Sequence, residues 1–104
     1  MIHEMRTYRL RVGALPEFIR LVGEEGILIQ QRHLGRLVGY FSTEIGLLNG
    51  VVHLWEFKDL EDREQRRAKL ATDPEWQQFM PKIQPLIETM ENQILRPTPF
   101  SPLQ

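Results

Sequence analysis

The sequence predicts an α+β domain whose strands and helices follow the order β-α-β-β-α-β. Two apolar runs, Leu37 to Ile45 and Val51 to Phe57, flank the turn-forming pair Asn49-Gly50, which predicts a central hairpin. Helix-start signals lie on either side of that hairpin, at Leu15-Pro16-Glu17 and at Asp59. This order is typical of the ferredoxin-like fold, an antiparallel sheet with its helices on one face.

The first half of the chain contains the first strand and the first helix. Ile2 to Leu10 is predicted as a strand, with Glu4, Arg6 and Tyr8 on one face. Proline fits the first turn of the helix that follows, because its missing N–H is not needed there. Glycine weakens a helix, so we predict a break or kink near Gly26 and a second helical piece from Ile27 to Arg32.

The second half adds two helix starts and a last strand. Asp59 is predicted to cap one helix, in which Asp62 and Arg66 can form an ion pair. Acidic residues are interspersed among the basic residues of this helix, so a solvated face is predicted for Arg63, Arg66, Arg67 and Lys69. Asp73-Pro74 predicts a further helix start. The last strand is predicted from Leu86 to Leu95. The domain is predicted to cover residues 1–96, and the proline-rich residues 97–104 are predicted to form an extended tail.

The two central strands are apolar on both faces. In the predicted second strand Leu37, Phe41 and Ile45 share one face, while Val38 and Tyr40 share the other. A half-solvated strand should alternate apolar and polar residues. We therefore expect both sides of the sheet to be covered, which predicts a homodimer and leaves a higher homo-oligomer open.

Composition argues against several classes of partner. A net charge of −1 gives no basic excess for nucleic acid, and no apolar stretch is long enough to span a membrane. The chain has no cysteine and no glycine-rich phosphate loop, so no cofactor is predicted. The first residues do not resemble a secretory signal, and a cytoplasmic protein is the expectation.

Several segments occur in a fixed order along the chain: Glu4 to Tyr8, Gln31 to Gly35, Val38 to Phe41, Thr43 to Trp55, Asp73 to Trp76 and Met90 to Leu95. Together these segments resemble the NIPSNAP family, within the dimeric α+β barrel superfamily. The resemblance extends from Ile2 to about Arg96 and implies a ferredoxin-like unit whose sheet packs against the sheet of a partner. The wider superfamily includes cofactor-free monooxygenases, but a shared fold does not transfer function.

One predicted strand face offers a candidate binding cleft. Arg6 can hold a carboxylate or an enolate, and Tyr8 can donate a hydrogen bond, or Arg6 and Glu4 can be paired charges of structural use only. His53 can act as a base or a ligand beside Trp55, or it can be a hydrogen-bonded core histidine.

Three further residues complete the candidate cleft. Tyr40 and Glu44 are predicted on one face of the second strand, where Glu44 is either a base with a raised pKa or an ion-pair partner. His33 either caps the end of the first helix or reaches the cleft. A metal site from two histidines with Glu44 or Glu91 lacks close spacing, so none is predicted.

No acid, base and nucleophile stand out together, so the sequence favours a small-molecule or partner-binding role. The alternative is a cofactor-independent monooxygenase or another enzyme that modifies small molecules. Whether the protein is an enzyme is left open.

Overall fold

The computed structural model describes residues 1–104 and confirms the predicted order of elements. A π-helical turn, Val22–Gly26, joins the first two helices, and a 3₁₀ turn, Gln84–Leu86, precedes the last strand. The strands are β1 Ile2–Leu10, β2 Arg36–Ser42, β3 Gly50–Phe57 and β4 Ile87–Leu95. The helices are α1 Leu15–Leu21, α2 Ile27–His33, α3 Leu60–Thr72 and α4 Pro74–Ile83.

The four strands form one antiparallel sheet in the order β2-β3-β1-β4. All four helices lie on one face, which is the ferredoxin-like arrangement predicted from the sequence. The core between sheet and helices contains the fully buried rings of Phe18, Trp55, Phe57 and Phe79. None of the helices combines the length and the apolar character that crossing a bilayer requires.

The break predicted near Gly26 is a change of helix type and not an interruption. The backbone stays helical from Leu15 to His33 and widens into the π-helical turn at Val22–Gly26. A side chain at Gly26 would place its Cβ 2.6 Å from the ring of Phe79. Glycine at this position therefore lets the helix approach α4 closely.

The two aspartate caps lie where they are predicted. The side chain of Asp59 accepts a hydrogen bond from the backbone N–H of Asp62 at 2.8 Å, and Asp73 accepts one from Glu75 at 2.8 Å. Arg66 Nε lies 2.8 Å from Asp62 Oδ1, which confirms the predicted pair. Each cap satisfies a backbone donor that the first helical turn would otherwise leave without a partner.

Strand β2 is shorter and less regular than predicted. Its pairing with β3 is interrupted by a bulge between Leu37 and Gly39, so Leu37 and Tyr40 both lie opposite helix-facing residues of β3. The prediction that Leu37 and Phe41 share a face is therefore wrong, because a bulge shifts the alternation by one residue. The strand ends at Ser42, and Ile45 lies in the following loop, 93% exposed.

The two faces of the sheet differ in what covers them. On β3, Val51, His53 and Trp55 face the helices and are buried. Val52 and Leu54 point to the opposite face, where no helix packs, and are only partly buried.

The tail that follows β4 contains a turn at residues 98–101. The backbone N–H of Ser101 donates a hydrogen bond to the carbonyl of Thr98 at 3.1 Å and closes this turn.

Candidate functional site

Strands β1, β2 and β3 bring five of the predicted site residues to the helix-facing side of the sheet. On β1, Arg6 lies opposite His53 of β3, and Tyr40 of β2 lies opposite the same histidine. Alternation along each strand places Tyr8 and Trp55 on this face as well. The structure therefore gathers Arg6, Tyr8, Tyr40, His53 and Trp55 under the helices.

His53 is the centre of an aromatic cluster. Its ring stacks on Tyr40, with centroids 4.4 Å apart and planes 10° apart, and meets Tyr8 edge-on at 4.9 Å. Trp55 Nε1 donates to His53 Nδ1 at 2.8 Å, so the proton of the neutral ring is on Nε2, which has no protein partner.

The surroundings of His53 keep its ring neutral. Burial, together with the nearby positive charge of Arg6, lowers the pKa of His53 to about 3. Its one basic nitrogen already accepts the Trp55 N–H, which leaves none free to take a proton from a substrate. The same burial raises the pKa of the Tyr40 hydroxyl, so that group is also neutral.

Glu4 is the second polar centre, and its carboxylate is fully buried. Arg6 Nη1 donates to it at 3.0 Å and Asn92 Nδ2 at 2.8 Å. Arg63 of α3 forms two further bonds, at 3.1 and 2.8 Å. Burial raises the pKa of Glu4, but these hydrogen bonds and the charges of Arg6 and Arg63 outweigh it and lower the pKa to about 2.

Arg67 follows Arg63 by one turn of α3 and lies over the same part of the sheet. It forms no ion pair and no hydrogen bond with a protein side chain, and burial together with the positive charge of Arg6 lowers its pKa. Because arginine remains protonated at neutral pH, Arg67 keeps its positive charge. Arg6 and Arg63 therefore bind the carboxylate of Glu4, whereas Arg67 interacts with that carboxylate only at a distance.

A cavity of about 100 Å³ adjoins these groups. Its polar lining includes Arg6, Tyr8, Tyr40 and Arg67, and the rest is mostly apolar. Met90 of β4 also lines it and is 51% exposed, so the cavity meets solvent beside this residue. The apolar lining comes from β3, β4 and the helices and includes Phe18, Trp55, Leu70, Trp76, Phe79 and Ile83.

A larger groove of about 280 Å³ runs between the first helix and β2. Its lining includes Phe18, Val22, Leu37 and Phe41 and contains no charged side chain. Binding sites usually combine an apolar surface with a few convergent polar groups. The smaller cavity has that combination, and we take it as the candidate site.

Two predicted site residues lie elsewhere. Glu44 follows the end of β2 and is exposed in the loop, so its predicted position on the Tyr40 face is wrong. His33, at the end of α2, places Nε2 2.6 Å from Asp73 Oδ2 and so links α2 to the start of α4. Neither residue lines the cavity.

The three histidines do not converge. His3 lies on the sheet face opposite to that of His53, and His33 is at the end of α2. No group of three or more side chains of the types that bind metal ions comes together in the structure.

Comparison with known proteins shows the family. The NIPSNAP family model matches residues 3–102. The chain belongs to the NIPSNAP family. A solved NIPSNAP family protein of unknown function from Agrobacterium tumefaciens is 55% identical, with a TM-score of 0.98 over 100% of this chain and 94% of that one. The predicted resemblance is confirmed.

Curated NIPSNAP relatives are considerably longer. Protein NipSnap of Drosophila melanogaster is 36% identical over 103 residues, which are 99% of this chain and 37% of that protein. The chain thus spans about a third of the length of the curated relatives that it matches.

A more distant likeness concerns the fold alone. An antibiotic biosynthesis monooxygenase superposes with a TM-score of 0.71 at 13% identity, over 95% of this chain and 100% of that one. This likeness shows that the two proteins share a fold.

Four site residues were not predicted as part of the cleft. Arg63 and Arg67 were assigned to a solvated helix face, whereas the structure turns both toward the sheet. Asn92 and Met90 lie on the helix-facing side of β4, opposite Arg6 and Tyr8. The sequence spacing of Arg63, Arg67 and Leu70 places these residues on one face of α3, and this spacing could have indicated that the two arginines face the sheet.

Proposed function

We propose that this NIPSNAP chain binds a small organic molecule in the cavity between its sheet and helices. The observation that carries the proposal is the convergence of Arg6, Arg67 and two tyrosines on a cavity that is otherwise apolar. A volume of about 100 Å³ approaches the ~150 Å³ of a protein cavity that accepts benzene. The ligand is therefore small, or it is the inserted part of a larger molecule.

The second candidate function is a cofactor-independent oxygenation, favoured by the fold likeness to an antibiotic biosynthesis monooxygenase. Such a reaction needs a group that removes a proton from the substrate. His53 is neutral with its basic nitrogen engaged, and Glu44 is distant from the cavity. Binding is therefore the better supported proposal.

Blocking the mouth of the cavity is expected to abolish binding. Met90→Trp adds bulk at the half-exposed rim, so compounds that raise the melting temperature of the native protein should no longer do so. The measurement is a thermal-shift screen of small aromatic and aliphatic compounds, followed by titration of the hits.

Ile94→Trp is the matched control for this screen. Ile94 lies on the same face of β4, is 41% exposed and does not line the cavity, so this variant should keep the shifts. A library without hits, or hits that Met90→Trp leaves unchanged, would count against binding at this site.

We also propose that two chains form a homodimer through the sheet face that carries no helices. Val52 and Leu54 lie on this face opposite Phe41 and Met5, respectively. Phe41 is 58% exposed, and the other three are partly buried. A sheet face in contact with water is normally polar, so this apolar patch favours a second sheet as its cover.

A charge within this patch should prevent the homodimer from forming. Val52→Asp is expected to cause aggregation or unfolding, because it buries a carboxylate in the interface or exposes the remaining apolar face. Light scattering coupled to gel filtration gives the mass, and circular dichroism reports the fold.

Val12→Asp is the control, since Val12 is 91% exposed in the turn after β1 and this variant should remain dimeric. A folded, soluble monomer, either from the native chain or from Val52→Asp, would contradict the dimer. Assembly beyond the dimer and the cytoplasmic compartment stay predictions.

A further inference from the structure

We infer that the ligand of the cavity is a small monocarboxylate with an apolar body, and that Arg67 is the residue that holds its carboxylate. This inference rests on the proposed function and names its ligand class. The inference depends on one observation: Arg67 lines a largely apolar cavity and forms no hydrogen bond or ion pair with another side chain.

The first step concerns what Arg67 lacks. Buried or half-buried arginines in folded proteins normally pair with a carboxylate, because desolvation of an unpaired charge is costly. Glu4, the buried carboxylate of this region, already accepts hydrogen bonds from Arg6, Arg63 and Asn92. Asp62, on the same helix, pairs with Arg66. No carboxylate of the protein therefore forms an ion pair with Arg67, and Glu4 offsets its charge only at a distance.

The second step concerns the local charge. Three guanidinium groups and one carboxylate leave an excess of two positive charges beside the cavity. This excess disfavours a cation and favours an anion. A carboxylate suits a guanidinium because two parallel N–H donors match its two oxygens.

The third step concerns the hydroxyl groups. Arg6 Nε donates to the Tyr8 hydroxyl oxygen at 3.0 Å, which leaves the proton of that hydroxyl available for an acceptor. Tyr40 also lines the cavity, and its hydroxyl stays protonated because burial raises its pKa. Each hydroxyl group can donate a hydrogen bond to a carboxylate.

The fourth step concerns the rest of the ligand. Away from the arginines, the lining consists of aromatic and aliphatic side chains such as Phe79, Trp76 and Ile83. Burying an apolar body there is favourable, whereas a sugar or a polyphosphate would leave polar groups without partners. The volume of about 100 Å³ limits the body to roughly a short chain or one small ring.

The test compares a carboxylate with its neutral and cationic counterparts by titration calorimetry. Benzoate and butyrate are the anionic probes, benzamide and butyramide the neutral ones, and benzylammonium the cation. We expect at least one acid to bind roughly tenfold or more tightly than its amide, since a charged hydrogen bond contributes about 1.5–3 kcal/mol. Benzylammonium should not bind.

The variant that isolates Arg67 is Arg67→Met, which keeps an apolar stem and removes the charge. It should weaken acid binding roughly tenfold or more and leave amide binding unchanged. It should also raise the melting temperature of the ligand-free protein, because Arg67 is there a desolvated charge without a partner. Arg66→Met, one residue away on the face that binds Asp62, should keep the preference for the acid.

The outcomes separate the inference from the proposed function. If amides bind as tightly as acids and Arg67→Met changes neither, the carboxylate inference fails while binding at the cavity stands. If no acid binds but other compounds give shifts that Met90→Trp abolishes, the ligand class is likewise overturned. If Met90→Trp abolishes the binding of no compound, both the carboxylate inference and the proposed function fail.

Discussion

Replacing Glu4 with glutamine is expected to destabilise the protein by about 3–5 kcal/mol, since removing one partner of a buried ion pair leaves the other charges uncompensated. Glu4 is fully buried and is the only carboxylate that Arg6 and Arg63 contact. Glutamine has a similar shape, but its amide N–H groups would face guanidinium donors. The loss is a large fraction of the ~5–15 kcal/mol that typically stabilises a domain.

Chemical denaturation at a fixed protein concentration, near neutral pH, measures this effect. Glu17→Gln removes an exposed carboxylate that pairs with Arg20 and should cause no measurable loss. The double variant Glu4→Gln with Arg63→Met should recover part of the stability, because it removes one of the orphaned charges. Equal stability of Glu4→Gln and the native protein would show that the buried cluster is not needed for folding.

The features that could be predicted from the sequence are those that nearby residues determine. Strand β1 runs from Ile2 to Leu10 as predicted, and Asp59 and Asp73 cap the helices that follow them. A cap depends on a side chain and a backbone N–H two or three residues later, so a short segment of sequence contains all the information. The order of such segments then restricts the fold to very few arrangements.

The errors concern features that depend on distant pairing. Strand β2 ends at Ser42 because that is its last residue paired with β3, and no local signal marks this end. The bulge after Leu37 likewise arises from the register between the strands. Glu44 was therefore placed on a strand face, whereas the structure leaves it in the loop.

The most informative error concerns the basic residues of α3. Charges interspersed with acidic residues usually indicate a solvated helix, and Arg63 and Arg67 were interpreted in that way. The carboxylate that binds Arg63 belongs to Glu4, 59 residues earlier in the chain, so no local pattern reveals the contact. Yet Leu70 is the only buried apolar residue of α3, and a helix with so little apolar surface must cover the sheet with other side chains.

Acid is expected to destabilise the protein progressively from about pH 6.5 downward, and His53 is the reason. The native pKa of His53 lies at about 3, lowered mainly by burial from an unperturbed value of 6.5, so the native state binds fewer protons than the unfolded state between these values. Stability therefore falls as the pH falls through this window, by up to about 4 kcal/mol near pH 3. Above pH 6.5 this contribution is constant.

Glu4 adds to the loss of stability only in stronger acid. Its native pKa is lowered from 4.5 to about 2, so its contribution is complete above pH 4.5 and decreases below that value. Between pH 5 and 6 the slope of stability against pH thus belongs to His53 and not to Glu4.

His53→Gln isolates this slope, because a glutamine oxygen can still accept the Trp55 N–H but does not titrate in this range. Unfolding free energies measured at closely spaced pH values should rise from pH 5 to 6 in the native protein and stay nearly flat in this variant. Leu48→Gln, at a position that is 75% exposed in the loop after β2, introduces the same side chain without removing a histidine and should keep the slope. If His53→Gln has the same slope of stability against pH as the native protein, the acid-sensitive group is a different residue. The buried ring of His53 could then be protonated without unfolding the protein.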